Sequence, residues 1–315
     1  MQKRQLGRSG IAVSPLCFGG NVFGWTIDEQ RSEQLLDALF AADITFIDTA
    51  DVYSRWMPGH SGGESETIIG NWMQRRGNRA QLVIATKVGS EMPSGKGLSK
   101  QHIVRAVEDS LKRLRTDYID LYQSHIDDAS TPLEETLSAY ADLIAQGKVR
   151  AIGASNYSAA RLREALALSR DRGLPRYESL QPNYNLYDRA DFESELEPLC
   201  EREQVGVINY FSLASGFLTG KYRSAADFGK SQRGQGMQQY MNARGERVLA
   251  ALDAVAAEYD ATPARVALAW LLARPSITAP IASATSREQL DELIAATQLE
   301  LAPAAIDRLT RASAA

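Results

Sequence analysis

Four side chains that can exchange protons follow three consecutive apolar segments of the chain. Asp48 lies in TFIDTA, Tyr53 just beyond it, Lys87 in VIATKV and His125 in LYQSH. The carboxyl ends of parallel strands meet at one edge of a sheet or one mouth of a barrel. If these segments are neighbouring parallel strands, the four polar groups converge on one site.

Together these residue types describe an acid that can protonate an oxygen. An unperturbed phenol has a pKa of about 10, and a neighbouring ammonium lowers a phenol pKa by stabilising the phenolate. We therefore expect Lys87 to lower the pKa of Tyr53, with Asp48 keeping Lys87 charged and oriented. His125 would donate a hydrogen bond to a substrate carbonyl and position it. Each residue alone has an ordinary structural explanation, so the hypothesis depends on their combination.

The elements that would position these residues alternate regularly along the chain. Short apolar segments predict eight strands, at residues 16–20, 45–51, 82–88, 119–125, 149–156, 178–185, 205–213 and 278–284. Amphipathic segments predict helices between and after them, at residues 30–42, 64–76, 100–114, 133–146, 158–172, 191–203, 245–259 and 287–297. Start signals at Ser99, Thr131-Pro132 and Thr262-Pro263 support this assignment, and the last opens an additional helix through residue 272.

This alternation predicts an α/β fold, a (β/α)₈ TIM barrel. Because barrels of this kind commonly reach such a length as one domain, we expect residues 1–315 to form a single domain. Residues 2–13 contain a Gly-Arg-Ser-Gly turn and predict an N-terminal β-hairpin that plugs one end of the barrel. Residues 221–244 are too long for an ordinary connection, which favours a functional or a disordered loop.

Composition narrows the class of partner. The net charge is −4, 23% of the residues are charged, and Lys and Arg do not form runs, so we expect no nucleic-acid partner. No apolar segment reaches membrane-spanning length and the N-terminus has no secretory pattern, which favours the cytosol and no membrane partner.

Cys17 and Cys200 lie outside any metal-ligand spacing and are expected to be buried, reduced thiols, and no metal is expected. The oligomeric state is left open.

Nine motifs, in order along nearly the whole chain, resemble the aldo-keto reductase superfamily. They are LGRSGIAVSPLCFGG, FIDTADVYS, GGESETIIG, ATKVG, DYIDLYQSH, GKVRAIGASNYS, QPNYNLYDR, GFLTGKYR and ASATSREQLDEL. The likeness is greater to the bacterial and potassium-channel-β-like branches than to the mammalian aldose reductase branch. The resemblance implies an NADPH-dependent oxidoreductase that reduces an aldehyde or ketone to an alcohol. The family's catalytic tetrad falls on Asp48, Tyr53, Lys87 and His125 without a substitution.

The resemblance also implies a cofactor site. Ser155, Asn156 and Gln181 match the residues that bind the nicotinamide carboxamide, and Tyr210 matches the aromatic residue that stacks on the nicotinamide ring. Further pyrophosphate-binding positions match Leu213, Gly216, Leu218 and Lys221. Where the branch commonly reads Tyr-Ser-Pro-Leu, this chain reads Tyr-Phe-Ser-Leu, so Phe211 replaces a hydroxyl and Ser212 or backbone amides would take over that contact.

The adenine end departs further from the family pattern. The family usually reads Pro-Gly-Ala-Arg followed by Gln-Leu, whereas this chain has Ala-Ser-Ala-Thr at residues 282–285, followed by Gln289. Thr285 thus replaces an Arg that often contacts the 2′-phosphate. We expect Arg287 to supply that charge, with hydroxyl donors from Ser283 and Thr285. On this basis NADPH is the expected cofactor.

Two other functions remain open, and the substrate is not identified. Related barrels serve as NADPH-binding, redox-sensing regulatory subunits with slow turnover. An aldolase or isomerase that uses Lys87 as a Schiff-base nucleophile is a weaker alternative, because it leaves the Ser155, Asn156 and Gln181 matches unexplained. Trp25 and Trp56 follow the first two strands and are expected to line an apolar substrate pocket.

Overall fold

Eight parallel strands form the centre of the protein in the computed structural model, which describes residues 1–314. They are β3 (Cys17–Gly19), β4 (Phe46–Asp48), β5 (Val83–Val88), β6 (Ile119–Ser124), β7 (Val149–Ser155), β8 (Tyr177–Gln181), β9 (Gly206–Val207) and β10 (Ile281–Ala282). Each strand from β3 to β8 pairs with the next one along the chain, and β10 pairs with β3. Two further hydrogen bonds join the β9 and β10 regions: Thr278 N donates to Val207 O at 2.8 Å, and Ile281 N donates to Asn209 O at 2.9 Å. The sheet therefore closes, and the predicted (β/α)₈ barrel is confirmed.

Helices cover the outside of the barrel. They are α1 (Glu29–Ala41), α2 (Glu64–Arg76), α3 (Lys100–Leu114), α4 (Leu133–Ala145), α5 (Ala159–Arg172), α6 (Glu197–Glu203), α7 (Ala243–Glu258), α8 (Pro263–Leu272), α9 (Arg287–Ala296) and α10 (Pro303–Ala312). Ser99 and Thr262 cap α3 and α8 by accepting from backbone amides, as their sequence positions predict. Thr131 does not cap α4, because its hydroxyl donates to Asp128 at 2.7 Å.

The N-terminal hairpin, β1 (Arg4–Gln5) with β2 (Ala12–Val13), closes the amino-terminal end of the barrel as predicted. Leu6, Ile11 and Val13 are buried in one cluster with side chains from the barrel interior. Gly7 approaches the barrel so closely that a Cβ there would lie 2.1 Å from the carbonyl oxygen of Glu178. The plug leaves the opposite mouth, at the carboxyl ends of the strands, as the open one.

Several predicted boundaries differ from the structure. β9 and β10 are each two residues long, because the chain beyond them turns into loops that line the mouth. The helix predicted at residues 191–203 contains a π-helical turn at Phe192–Leu196 before α6. Helix α10 was not predicted. It begins with Pro303 and buries Leu309, so its proline and its apolar spacing were available as signals.

Residues 221–244, in the loop after β9, are folded rather than irregular. They contain two 3₁₀ turns, at Ala225–Lys230 and Gly234–Tyr240, the first of which has a capping box from Ser224 and Asp227. Met237 and Tyr240 are buried, and the Tyr240 ring stacks on Phe217 at 4.8 Å between centroids. The loop is therefore attached to the core at its far end. In residues 1–314 no helix combines the length and apolarity needed to cross a membrane.

Candidate active site

Asp48, Tyr53 and Lys87 form one hydrogen-bonded triangle at the open mouth. Lys87 Nζ donates to Asp48 Oδ2 at 2.6 Å, to the Tyr53 hydroxyl at 2.8 Å and to Thr49 O at 2.8 Å. The Tyr53 hydroxyl lies 3.3 Å from Asp48 Oδ2. β4 ends at Asp48 and β5 carries Lys87 next to its own end, so the parallel register brings the two side chains together. The predicted convergence of these groups is present in the structure.

Two buried glutamines hold the other oxygen of Asp48. Gln181 Nε2 donates to Asp48 Oδ1 at 2.9 Å, and Gln123 Nε2 donates to the same atom at 3.2 Å. Sequence reasoning did not assign this role to Gln123, although it precedes His125 by two residues and so faces the same side of β6. With both oxygens bonded, the buried Asp48 carboxylate has a fixed orientation and holds Lys87 against Tyr53.

The pKa of Tyr53 moves in the direction opposite to the sequence prediction. Burial raises it well above its ordinary value, and the negative charge of Asp48 raises it further. The expected lowering of this pKa is therefore wrong for the resting site, where desolvation and the charge of Asp48 dominate. Tyr53 is consequently protonated at neutral pH, which is the state that a proton donor needs. Lys87 is placed to stabilise the phenolate only as it forms.

His125 lies beside this triangle as a neutral imidazole. Burial, followed by the charge of Lys87, lowers the pKa of His125 to about 3. Its Nδ1 lies 3.0 Å from Ser90 Oγ, and its ring centroid is 6.1 Å from that of Tyr53. A neutral imidazole whose Nδ1 accepts from Ser90 has its Nε2–H available for a substrate oxygen. That arrangement fits the predicted positioning role.

Ser155, Asn156, Gln181 and Tyr210 are adjacent at the mouth, in a chain of hydrogen bonds. The Tyr210 hydroxyl donates to Asn156 Oδ1 at 2.8 Å, Asn156 Nδ2 donates to Ser155 Oγ at 3.1 Å, and Ser155 Oγ donates to Gln181 O at 2.9 Å. Asn156 has a left-handed backbone, with φ of 59°, which turns its amide across the mouth. The structure therefore brings together the four residues predicted to bind nicotinamide.

The predicted pyrophosphate segment follows β9 as a strained turn. Phe211, Ala214 and Ser215 all have positive φ values, 54°, 47° and 56°, which non-glycine residues seldom adopt. Strain of this kind is retained where a site requires the geometry. Phe211, Ser212, Leu213, Gly216 and Lys221 line the cleft. Leu218 instead lies in the hydrophobic core, and the Ser212 hydroxyl faces Asn209 at 3.0 Å.

The structure places three of the four predicted adenine-end residues in the cleft and the fourth outside it. Ser283, Thr285 and Gln289 line the cleft, and Gln289 Oε1 accepts from Thr285 N at 2.8 Å and from Thr285 Oγ1 at 3.0 Å. Arg287 lies outside the cleft lining on the exposed face of α9, where Nε donates to Asp291 Oδ1 at 2.8 Å. Its contact with a 2′-phosphate stays a prediction.

Asp48, Tyr53 and His125 line the same cleft as the predicted nicotinamide residues, and its volume is about 1050 Å³. This volume is at the upper end of the range for small-molecule sites. Trp25 and Trp56 form one wall, with ring centroids 5.4 Å apart in an edge-to-face arrangement, and Trp56 is 48% exposed. The loop after β9 adds Lys230, Ser231, Gln232 and Arg233. Within residues 1–314, no group of three or more His, Cys, Asp or Glu side chains is arranged to hold a metal ion.

Known proteins match the chain over nearly its full length. The family model described as aldo/keto reductase family matches residues 15–314. A probable voltage-gated potassium channel subunit beta from Oryza sativa subsp. japonica is 34% identical, covering 98% of this chain and 95% of its own. The uncharacterized oxidoreductase YrpG from Bacillus subtilis is 36% identical, over 96% of this chain and 92% of its own. Protein tas from Escherichia coli is 32% identical, over 96% and 94%. A family model that covers this barrel and its polar mouth, together with such relatives, shows that the chain belongs to the aldo/keto reductase family.

Proposed function

We propose that this protein reduces an aldehyde or ketone to an alcohol with NADPH, with Tyr53 as the general acid. The observation that supports this most directly is the contact of a protonated phenol with a buried ammonium, 2.8 Å apart, at the mouth of the cleft. Carbonyl reduction places negative charge on the carbonyl oxygen, and a preorganised donor stabilises that charge in the transition state. The family as a whole supports an oxidoreductase.

The polar groups at the mouth fit a nicotinamide carboxamide. Both N–H bonds of the Gln181 amide are used, toward Asp48 Oδ1 and Gln123 Oε1, while among residues 1–314 its Oε1 accepts no hydrogen bond. That oxygen can accept from a carboxamide NH₂ group. The Tyr210 ring, held to Asn156 through its hydroxyl, offers an aromatic surface beside it. Lys221 adds a charge that suits a pyrophosphate, and in the described residues no carboxylate lies within ion-pair distance of it.

The roles of the chain's own residues follow from their contacts. His125 donates from Nε2 to the substrate carbonyl oxygen and brings it near the Tyr53 hydroxyl. NADPH, when bound, supplies the hydride that attacks the carbonyl carbon. Tyr53 transfers its proton to the oxygen, and Lys87 stabilises the phenolate that results, while Asp48 keeps Lys87 in place. Trp25 and Trp56 offer an apolar wall to the hydrocarbon part of the substrate.

The decisive variant is Tyr53→Phe. It removes one hydroxyl and keeps the ring, so we expect the fold and NADPH affinity to be retained. Loss of a general acid costs about two to four orders of magnitude in rate. The measurement is kcat for a panel of aldehydes and ketones, followed by NADPH absorbance, with NADPH affinity measured by fluorescence titration. Turnover by Tyr53→Phe at the wild-type rate would eliminate Tyr53 as the donor.

A regulatory, NADPH-binding role is the second candidate. The observation that favours it is the similarity to proteins named as potassium channel beta subunits, from Oryza sativa and Arabidopsis thaliana, each 34% identical. The same panel separates the two roles. Tight NADPH binding by the wild type without reduction of any carbonyl compound would favour the regulatory role over the reductase.

The Schiff-base alternative has no geometric support. Lys87 has no exposed surface, and its Nζ donates to three oxygens. A nucleophilic amine must be neutral and must reach a substrate carbon. We therefore assign Lys87 to electrostatic support of Tyr53.

A further inference from the structure

The imidazole ring of His125 has a single hydrogen-bond partner among residues 1–314, the hydroxyl of Ser90. Ser90 Oγ lies 3.0 Å from His125 Nδ1, and in the same range it has no other partner. The second ring nitrogen, Nε2, has no partner in that range, and His125 lines the cleft. The Ser90 hydroxyl is therefore the one protein group placed to control which nitrogen of this ring carries the proton.

The backbone on both sides of this contact is fixed. His125 N donates to Val88 O at 2.8 Å, and Asn156 Nδ2 donates to His125 O at 2.9 Å. Gly89 links the end of β5 to Ser90 and has a φ of 114°, a conformation that favours glycine. This turn presents the Ser90 side chain to the ring. With the main chain of His125 held at its N–H and its carbonyl, the ring orientation and the position of the proton remain to be set.

The tautomer of His125 determines what the ring offers to a substrate. A neutral imidazole has one N–H, so one nitrogen donates and the other accepts. With the proton on Nδ1, Nε2 would present a lone pair to a carbonyl oxygen, which is itself an acceptor. A hydroxyl can donate or accept, but the one hydrogen of Ser90 has no acceptor among the described residues other than Nδ1. Its donation to Nδ1 leaves the N–H on Nε2.

We propose that Ser90 is a positioning residue, whose hydroxyl donates to Nδ1 of His125 and so holds the ring as the tautomer that donates from Nε2 to the substrate carbonyl. This inference rests on the proposed reductase function and extends it to a residue that acts through His125. Because a hydrogen bond between neutral groups contributes modestly, its loss should cost less activity than loss of the Tyr53 hydroxyl.

The other two of the chain's three histidines are references for the two tautomers. His60 Nδ1 lies 3.2 Å from the backbone oxygen of Ser54, which can only accept, so a neutral His60 carries its proton on Nδ1. His102 Nδ1 lies 3.3 Å from Arg105 Nη2, which can only donate, so His102 carries its proton on Nε2. One spectrum of this protein therefore contains a standard for each possible state of His125.

The direct test is ¹⁵N NMR of the full chain, labelled at its histidine nitrogens and without added cofactor. It is recorded at about pH 8, above the usual pKa of histidine, with signals assigned through His60→Gln and His102→Gln. We expect His125 to show the pattern of His102. In Ser90→Ala a larger share of His125 should carry the proton on Nδ1, and Ser90→Thr, which keeps the hydroxyl, should match the wild type. The His60 pattern at His125 in the wild type overturns the proposal, as does a tautomer that Ser90→Ala leaves unchanged.

Turnover gives a second measurement. Ser90→Ala should lower kcat/KM for an aldehyde about threefold to tenfold, and Ser90→Thr should recover most of it, while the affinity for NADPH stays the same. Ser94→Ala is the matched control, because Ser94 is exposed on the same loop and its hydroxyl has no partner among the described residues. It should react as fast as the wild type.

Two kinetic outcomes contradict a positioning role. Equal kcat/KM for Ser90→Ala and the wild type shows that the contact does not assist reduction. Equal losses in Ser90→Ala and Ser90→Thr assign the effect to packing of the loop. If the wild type reduces no carbonyl compound, the reductase proposal fails by itself, and the NMR measurement still decides whether Ser90 sets the tautomer of His125.

Discussion

At the scale of single residues, the site combines a satisfied buried carboxylate with an unsatisfied one. Asp48 accepts from Lys87, Tyr53, Gln123 and Gln181 and is nearly inaccessible. Asp51, three residues later, is also buried, yet its Oδ1 has no partner among residues 1–314. Burial and the nearby charge of Glu66 raise the pKa of Asp51 to about 8, although Arg113 and Lys87 oppose this rise. The first carboxylate orients the Lys87 ammonium, and the second carries a proton at neutral pH.

Asp51 should make the protein less stable as the pH rises. Between about pH 4 and the folded pKa of about 8, the native state holds a proton that the unfolded state releases. The free energy of unfolding should therefore fall by up to about 1.4 kcal/mol per pH unit across this window. Asp51→Asn should remove that dependence and be the more stable protein near the upper limit. Urea unfolding of both proteins across the window measures the difference.

The exposed Asp307→Asn variant is the control for this experiment. It should leave the slope of stability against pH as it is in the wild type. Parallel slopes for wild type and Asp51→Asn would contradict the assignment of a proton to Asp51.

At the scale of elements, the loop after β9 is expected to close over the dinucleotide. It carries Lys230 and Arg233 on the cleft side and is held to α7 by the ion pair of Arg223 with Asp253. We expect saturating NADPH to slow tryptic cleavage after Lys230 and Arg233. Cleavage after the exposed Lys96, which lies outside the cleft lining, is the internal reference and should not change. Equal rates with and without NADPH at both loop sites would count against a closing loop.

Helix α10 should contribute to stability and not to chemistry. It buries Leu309 completely, and Trp270 Nε1 donates to Thr310 Oγ1 at 3.0 Å. Leu309→Ala removes buried methyl groups and should cost about 2–5 kcal/mol of unfolding free energy, measured in urea. Arg311→Ala, at an exposed position of the same helix, should change it by less than about 0.5 kcal/mol. Similar values for the two variants would show that α10 is not packed as described.

At the scale of the whole molecule, cofactor choice should appear as a difference in thermal stability. A ligand that binds only the folded state stabilises it by an amount that grows with its concentration relative to Kd. We therefore expect NADPH to raise Tm more than NADH at equal concentration. Arg287→Ala should reduce that difference, because Arg287 is the charge expected at the 2′-phosphate.

The variant Asp291→Asn also tests whether Arg287 binds the 2′-phosphate, this time by removing the acidic partner of Arg287. It frees Arg287 from its exposed ion pair, so the preference for NADPH should be kept or increased. An Arg287→Ala protein whose preference for NADPH equals that of the wild type would place 2′-phosphate recognition on other residues of the cleft.

The sequence by itself determined the fold and predicted which polar groups meet at the open mouth of the barrel. Periodicity predicted eight strands in the correct order, because side-chain alternation and burial are local properties of a strand. The positions of Asp48, Lys87 and His125 at strand ends were sufficient to predict their convergence, since parallel strands share one carboxyl edge. Helix α10 was missed although its signals were local, and the ends of β9 and β10 were placed too far along the chain.

Only the tertiary structure decided the electrostatics of the site and the partners of its charges. A pKa depends on the desolvation and on the sum of surrounding charges, so the raised pKa of Tyr53 could not be read from its proximity to Lys87. The ion-pair partners of the two arginines could not be read from the sequence either. Arg287 pairs with Asp291, and Arg233 does not pair with a carboxylate among the described residues. Each of these outcomes depends on which side chains from distant parts of the chain meet in three dimensions, and residue spacing along the sequence does not contain that information.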